Sequence, residues 1–284
     1  MLVTGATGRV GRVVVDRLLD AGVPVRALTR RPEAAKTLPA EVEVFVGDLT
    51  APESLDPALS GAGAVFLVWT APPQTREAVV ERLAAHVRRV VFLSSPHRTP
   101  HAFFQQPNPV AALHADIERL IAATGLESTI LRPGMFASNS LAWWAPAIRA
   151  GDVVRWPYGA SASAPVDDRD IAAVAARTLH QDEYVGGDYV LTGPESLTHA
   201  EQVEIIGSVL GRGIAFEEIT PEAFREQWEG TAPSAAIDML LAAWGAAVGP
   251  PAYVTTAVSE ILGTPPRTYR QWVADHAAAF TRSP

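Results

Sequence analysis

The sequence predicts an α/β fold, a doubly wound parallel sheet with a smaller lobe towards the C-terminus, and three observations carry that prediction. Short apolar runs rich in Val, Leu and Phe alternate with longer helix-compatible stretches through the first half of the chain, as when crossover helices join strands. The runs are continuous rather than alternating, so each strand is expected to be covered on both faces. After "RPG" at 132–134 the rhythm breaks into stretches rich in Trp, Ala and Ser, which marks inserted structure.

Taken in order, strands are expected at 2–4, 25–29, 42–46, 64–68, 90–95 ("VVFLSS") and 128–132, with helices between them at 9–21, 52–60, 74–87 and 109–124. In the last helix Val110, Leu113, Ile117, Leu120 and Ile121 share one side, while His114 and Glu118 stand four apart on a neighbouring face. Residues 136–165 read as loop and short helix, 166–179 as helix and 188–193 as a returning strand. Thr198 with Glu201 three residues on forms a capping-box pattern opening a helix over 198–211. Residues 212–284 read as helical and punctuated by proline, and 217–240 mixes charge, Pro and Gly in the manner of a lid. The core is therefore assigned to 1–133, with 166–192 returning to it, and the lobe to 134–165 and 193–284.

Hydrophobic residues make up 48% and charged residues 19%, enough for a packed core and unlike a disordered chain. A net charge of −8 argues against nucleic acid as a partner. With no cysteine, thiol nucleophiles, disulfides and zinc–thiolate sites are excluded, which suits a reducing compartment. The chain opens on "MLVTGATG", without the charged and apolar regions of a signal peptide, and no apolar run reaches the roughly 18 residues of a membrane span. A cytoplasmic protein without a membrane partner is expected. Lys36 is the single lysine.

"TGATGRVG" places Gly5, Gly8 and Gly11 between a strand and a helix, where a tight turn, close approach of a pyrophosphate and close helix packing each demand a missing side chain. The helix N-terminus adds free N–H groups and the positive end of a dipole. A dinucleotide cofactor is expected there, with Thr7 and Val10 in the same loop and turn. A carboxylate after the second strand would accept from the 2′-hydroxyl of NAD; this chain has Thr29, Arg30 and Arg31 instead. Arginine suits a 2′-phosphate, so NADPH/NADP is the cofactor expected, with Arg9 as a further cation. Asp48 and Leu49 are placed for the adenine, although Asp48 is equally suited to capping the helix that begins nearby.

Together with "GDLT" (47–50), "ILRPGMFASN" (130–139), "PVDDRDIAAVAA" (165–176) and "RTYRQWVADHAAAF" (267–280), these stretches resemble the short-chain dehydrogenase/reductase superfamily, and within it the NmrA-like branch. The resemblance implies an NADPH-dependent reductase of a ketone or quinone carbonyl in a polycyclic aromatic, polyketide- or antibiotic-type molecule. Two alternatives are a non-catalytic sensor of the NAD(P) ratio and quinone reduction coupled to oxygen-dependent hydroxylation. It also implies that Ser94, Pro133 and Met135 complete the cofactor contacts.

The superfamily's Tyr-x-x-x-Lys pair is absent: its two positions are Val110 and His114, while Ser95 matches the assisting serine. Ser95 and His114 are accordingly the catalytic candidates, with solvent or a substrate phenol as the other proton sources. His97 and His101, on the loop after the fifth strand, face the ligand crevice. No metal site is expected. Among the seven tryptophans, Trp143, Trp144, Trp156, Trp228 and Trp244 fall in the lobe; Trp143, Trp144 and Trp228, with Phe136, are expected to wall a flat substrate, beside Phe103 and Phe104.

Overall fold

The computed structural model describes residues 1–281. Eleven strands occur in chain order among these residues: β1 Leu2–Val3, β2 Arg26–Thr29, β3 Glu43–Val46, β4 Ala64–Val68, β5 Arg89–Leu93, β6 Glu127–Pro133, β7 Val153–Trp156, β8 Ala162–Ser163, β9 Asp188–Leu191, β10 Leu197–Thr198 and β11 Ala215–Glu218. Seven of them build one sheet in the order β3-β2-β1-β4-β5-β6-β9, every pair parallel. The order turns back on itself between β1 and β4, so their carboxyl ends open a crevice at the middle of the sheet. Thr4 fixes that edge: its hydroxyl accepts from the Val68 amide at 2.8 Å.

The α-helices among these residues are α1 Arg9–Asp20, α2 Asp56–Leu59, α3 Arg76–His86, α4 Pro109–Ala122, α5 Asn139–Trp143, α6 Ala145–Ala150, α7 Asp168–His180, α8 His199–Leu210, α9 Pro221–Trp228, α10 Ser234–Ala246, α11 Ala257–Leu262 and α12 Tyr269–Asp275. One face of the sheet is covered by α1, α7 and α11, whose Val14, Leu18, Ile171, Val174 and Val258 join Val3, Phe66 and Val91 in one core cluster. The other is covered by α2, α3 and α4, which bring Leu59, Val79, Leu83 and Ile117 onto Leu2, Val65 and Phe92. Burial on both faces is what continuous apolar strands require.

A third cluster belongs to the lobe: Trp144, Trp156, Val203, Phe224, Leu241, Trp244 and Trp272 pack together. Four short strands within 136–165 and 193–284 were not legible as strands. β7 pairs in parallel with β11, and β8 antiparallel with β10, each from a partner distant in sequence. The capping box forms as expected, Thr198 Oγ1 accepting from Glu201 N, and Gly211 ends α8 with φ 64°. One boundary differs: α11, inside the stretch assigned to the lobe, packs on α7 in the core. The supposed lid carries α9 and the start of α10; Phe224 of α9 is fully buried, which ties that helix into the lobe. No helix among the described residues is long and apolar enough to cross a membrane.

Candidate active site

The crevice at the switch point is lined by Gly5, Thr7 and Gly8 from the loop after β1, Arg30 and Arg31 from the end of β2, Asp48 and Leu49 after β3, and Val68 and Thr70 after β4, around about 780 Å³ of open space. Gly5 has φ 62°, a left-handed value that favours glycine. A Cβ on Gly11 would stand 2.2 Å from the Gly5 carbonyl oxygen, so the helix approaches the loop as closely as only glycine permits. The N-cap of α1 is Gly8, and no side chain caps the helix. First-turn amides without a side-chain partner, beside a bare loop, fit a dinucleotide diphosphate.

Thr29 shapes the next turn, its hydroxyl accepting from the Arg31 amide at 3.3 Å and donating to the Arg31 carbonyl at 3.1 Å. Both arginines are exposed, and among the described residues neither guanidinium has a hydrogen-bond or ion-pair partner. Asp48 lines the crevice; it does not cap the next helix, whose N-cap is Ala51 without a side-chain bond, but accepts from the Thr50 amide at 2.8 Å in a local turn.

Not every expected cofactor residue is in the crevice. Val10 is buried in the core beneath α1. Arg9 acts on the buried Asp168 at the head of α7, and so lies on that side rather than with Arg30 and Arg31. Burial raises the Asp168 carboxyl above its ordinary range; Ser138 donates to it at 3.0 Å. Ser94 is turned inward and donates its hydroxyl to Glu118. Pro133 ends β6 in the interior, whereas Met135 emerges on the lobe side.

A second cavity, about 540 Å³, lies between the end of β5, the loop after it and α10; Ser95, His97, Phe103, Phe104, Met135 and Leu240 are among its walls. Beneath it sits a buried ion pair that sequence reasoning missed. Arg132 on β6 donates to both oxygens of Glu118 on α4, each at 2.7 Å, and also bonds Asp188. The same guanidinium donates to the Ser95 carbonyl at 2.9 Å and lies 3.3 Å from His97 Nδ1. A guanidinium has no acceptor, and the Glu118 carboxylate stands 3.7 Å from His97 Nε2. These two neighbours favour hydrogen on Nε2, whereas the Ser95 carbonyl, which only accepts and lies 3.1 Å from Nδ1, favours hydrogen on Nδ1. Burial, aided by Arg132 and against Glu118, holds the imidazolium below its ordinary pKa, so the ring is neutral near pH 7.

Ser95 Oγ, His97 Nε2 and His114 Nδ1 are each buried without a hydrogen-bond partner among the described residues. The first two belong to residues on the cavity wall; His114 is not on it, packing edge-on to Phe92 with ring centroids 5.5 Å apart. Glu118 does not hydrogen-bond His114, being taken by Arg132 and Ser94, and burial lowers His114 to about 4. It is therefore uncharged at neutral pH and not placed as a direct acid. His101 points its Nε2 at the Pro251 carbonyl, 3.0 Å away.

The aromatic walls also differ from expectation. Trp144 is fully buried and meets Trp143 and Trp156 edge-on, Trp143 packs against Trp244, and Trp228 against Trp156 and Phe224. These tryptophans form the lobe's own core. Phe136 forms a bridge with Val166 and packs against the cluster beneath α1 and α7. The cavity instead takes Phe103 and Phe104, 5.0 Å apart and nearly perpendicular, and Met239, Leu240 and Ala243 of α10. Val110, at the tyrosine position, is 53% exposed on the first turn of α4.

Residues 5–182 match the family model described as NAD(P)H-binding. A (4-alkanoyl-5-oxo-2,5-dihydrofuran-3-yl)methyl phosphate reductase of Streptomyces griseus is 39% identical, covering 99% of both chains. An NAD(P)H azoreductase of Xenophilus azovorans is 31% identical over 99% of each. In three dimensions, the NADPH complex of an Escherichia coli NADPH-dependent quinone oxidoreductase shares the fold, with TM-score 0.84, 24% identity and coverage of 97% and 99%.

Proposed function

This chain belongs to the NAD(P)H-binding family, and from that premise we propose that it is an NADPH-dependent reductase of a ketone or quinone carbonyl on an apolar ring system. The observation that carries the reading is that Ser95 and His97, whose Oγ and Nε2 have no hydrogen-bond partner among the described residues, line a cavity at the carboxyl end of β5, the strand next to β4 of the crevice. Bound NADPH supplies the hydride. The protein's share is to hold the acceptor carbonyl and answer the charge that develops on its oxygen. Ser95 donates its hydroxyl; His97, neutral, donates beside it when its hydrogen is on Nε2 and orders a bridging water there when it is on Nδ1. Arg132 bonds the Ser95 carbonyl and lies against His97, so one buried cation positions both residues. With no tyrosine or lysine at hand, the proton that completes the alcohol comes through Ser95 from solvent or from a substrate phenol.

Phe103, Phe104, Met135 and Leu240 suit a flat ring, and a polycyclic aromatic ketone or quinone of the antibiotic type is one such substrate. The Streptomyces griseus relative, named for a dihydrofuran phosphate, favours a second and smaller ring, an oxo-dihydrofuran bearing an acyl group. The paired arginines favour NADPH over NADH.

The test is cofactor oxidation with a panel of quinones, ketones and acyl furanones, with and without oxygen. Turnover is expected, and Ser95→Ala and His97→Ala should each lower kcat/KM about ten- to a hundred-fold without weakening NADPH. His114→Ala should change it less than three-fold. Tight NADP binding with no turnover across the panel would refute the proposal in favour of a sensor.

A further inference from the structure

We propose that Asn108 sets substrate specificity: its side-chain amide donates to a second carbonyl oxygen, so that a quinone or other ring dicarbonyl is taken in preference to a simple ketone. This rests on the reductase reading above and narrows it.

The carboxamide of Asn108 is oriented by its partners. Asn108 caps α4, its Oδ1 accepting from the Val110 amide at 2.9 Å and the Ala111 amide at 3.1 Å. Backbone amides only donate, so the atom facing them is the oxygen, and Nδ2 is the end left for a ligand. Among the described residues Nδ2 has no hydrogen-bond partner, and Asn108 lines the cavity that holds Ser95 and His97. Gln106, on the same wall, already gives one Nε2 hydrogen to the Ala102 carbonyl at 3.0 Å, whereas Asn108 keeps both of its own. Phe103, Ala111, Met135 and Leu240 add faces for a ring and no side-chain donor.

The spacing suits one ring system with an oxygen at each end. Glu118 stands 3.7 Å from His97 Nε2, and Asn108 precedes Glu118 by ten residues, about 15 Å of helix axis. Helical side chains lean towards the N-terminus, which brings the Glu118 head group, and His97 with it, nearer to Asn108. A 1,4-quinone with a hydrogen bond of about 2.9 Å at each oxygen bridges a gap of that order. One carbonyl then lies at Ser95 and His97 and the other at Asn108. A neutral hydrogen bond exchanged for one to water is expected to contribute about five-fold in affinity.

The probes are 1,4-naphthoquinone, with two carbonyls, and 1-tetralone, with one, each titrated against the protein with NADP so that no hydride is available. The chain has no cysteine, so the quinone meets no thiol and its Kd is read reversibly. Asn108→Ser and Asn108→Asp both keep a side-chain oxygen for the α4 amides and remove the N–H donors. Asn108→Ser should weaken the quinone about five-fold. Asn108→Asp sets a carboxylate against the carbonyl oxygen and should weaken it about ten-fold or more. In each variant the loss for 1-tetralone should be at least about three-fold smaller, which a damaged cap would not produce. A quinone Kd within about two-fold of wild type in both variants, an equal loss for the two ligands, or no binding of the quinone to the wild type would overturn the assignment. If no member of the quinone and ketone panel is turned over with NADPH, the reductase reading fails by itself, and these Kd values, which need no turnover, still decide the role of Asn108.

Discussion

Replacing Arg30 and Arg31 together by alanine should convert the protein from one that prefers NADPH into one that scarcely distinguishes it from NADH. Both side chains stand exposed on the rim of the crevice, and no carboxylate or carbonyl among the described residues engages either guanidinium. The turn that carries them is held by Thr29, not by their own side chains. Their removal should therefore move folding stability by no more than about 0.5 kcal/mol, the usual range for surface changes. Hydrogen bonds to a charged group contribute about 1.5–3 kcal/mol, and solvent exposure puts these at the lower end. About 1.5 kcal/mol per arginine is roughly ten-fold in Kd, so the double variant should bind NADPH about a hundred-fold more weakly. NADH, lacking the phosphate, should change less than two-fold. Titration of both cofactors by nicotinamide fluorescence at two ionic strengths reads this directly; the wild type should lose NADPH affinity with salt, and the variant should not. Equal weakening of the two cofactors, or an NADPH Kd within three-fold of wild type, would refute the assignment.

Arg132→Met should destabilise the fold by about 3–5 kcal/mol, because it leaves the Glu118 carboxylate buried and unpaired, and adding Glu118→Gln should recover part of the loss. Urea midpoints check this, and a loss under about 1 kcal/mol would contradict it. Acid should also weaken the fold between pH 6.5 and 4. His114 and His199 sit at about 4 in the fold, chiefly through burial, against an ordinary 6.5, so across that window the unfolded chain binds more protons. Each therefore contributes on the order of 3 kcal/mol at pH 7 that is lost as the pH falls to 4. Asp168 and Asp170, raised by burial, oppose the trend. His199 stands between Trp144 and Trp244, and His199→Phe should make the acid slope visibly shallower in denaturation at pH 7 and 4.5; an identical slope would count against it.

The sheet and the crevice were legible because both are written locally. A strand covered on both faces must be apolar throughout, and a glycine needed for close approach announces itself as a glycine, as Gly5, Gly8 and Gly11 do. Arg30 and Arg31 are legible for the same reason, since residues at the end of the second strand reach the crevice whatever follows them. The lobe strands were not, because β7 and β8 are two to four residues long and are made strands by β11 and β10, which lie at least 34 residues further along. Tryptophan in a sequence says only that a large ring will be covered; whether a ligand or another tryptophan covers Trp144 is decided by packing. In the same way, His114 and Glu118 share a helical turn, yet Glu118 is claimed by Arg132 from a neighbouring strand, and that contact chooses His97 over His114 as the ring beside the cavity. Sequence alone thus determined the sheet, the glycine loop and the arginines beside it, which depend on backbone freedom and charge at fixed local positions. Tertiary structure decided which side chains line each cavity, because burial and pairing are properties of what arrives from elsewhere in the chain.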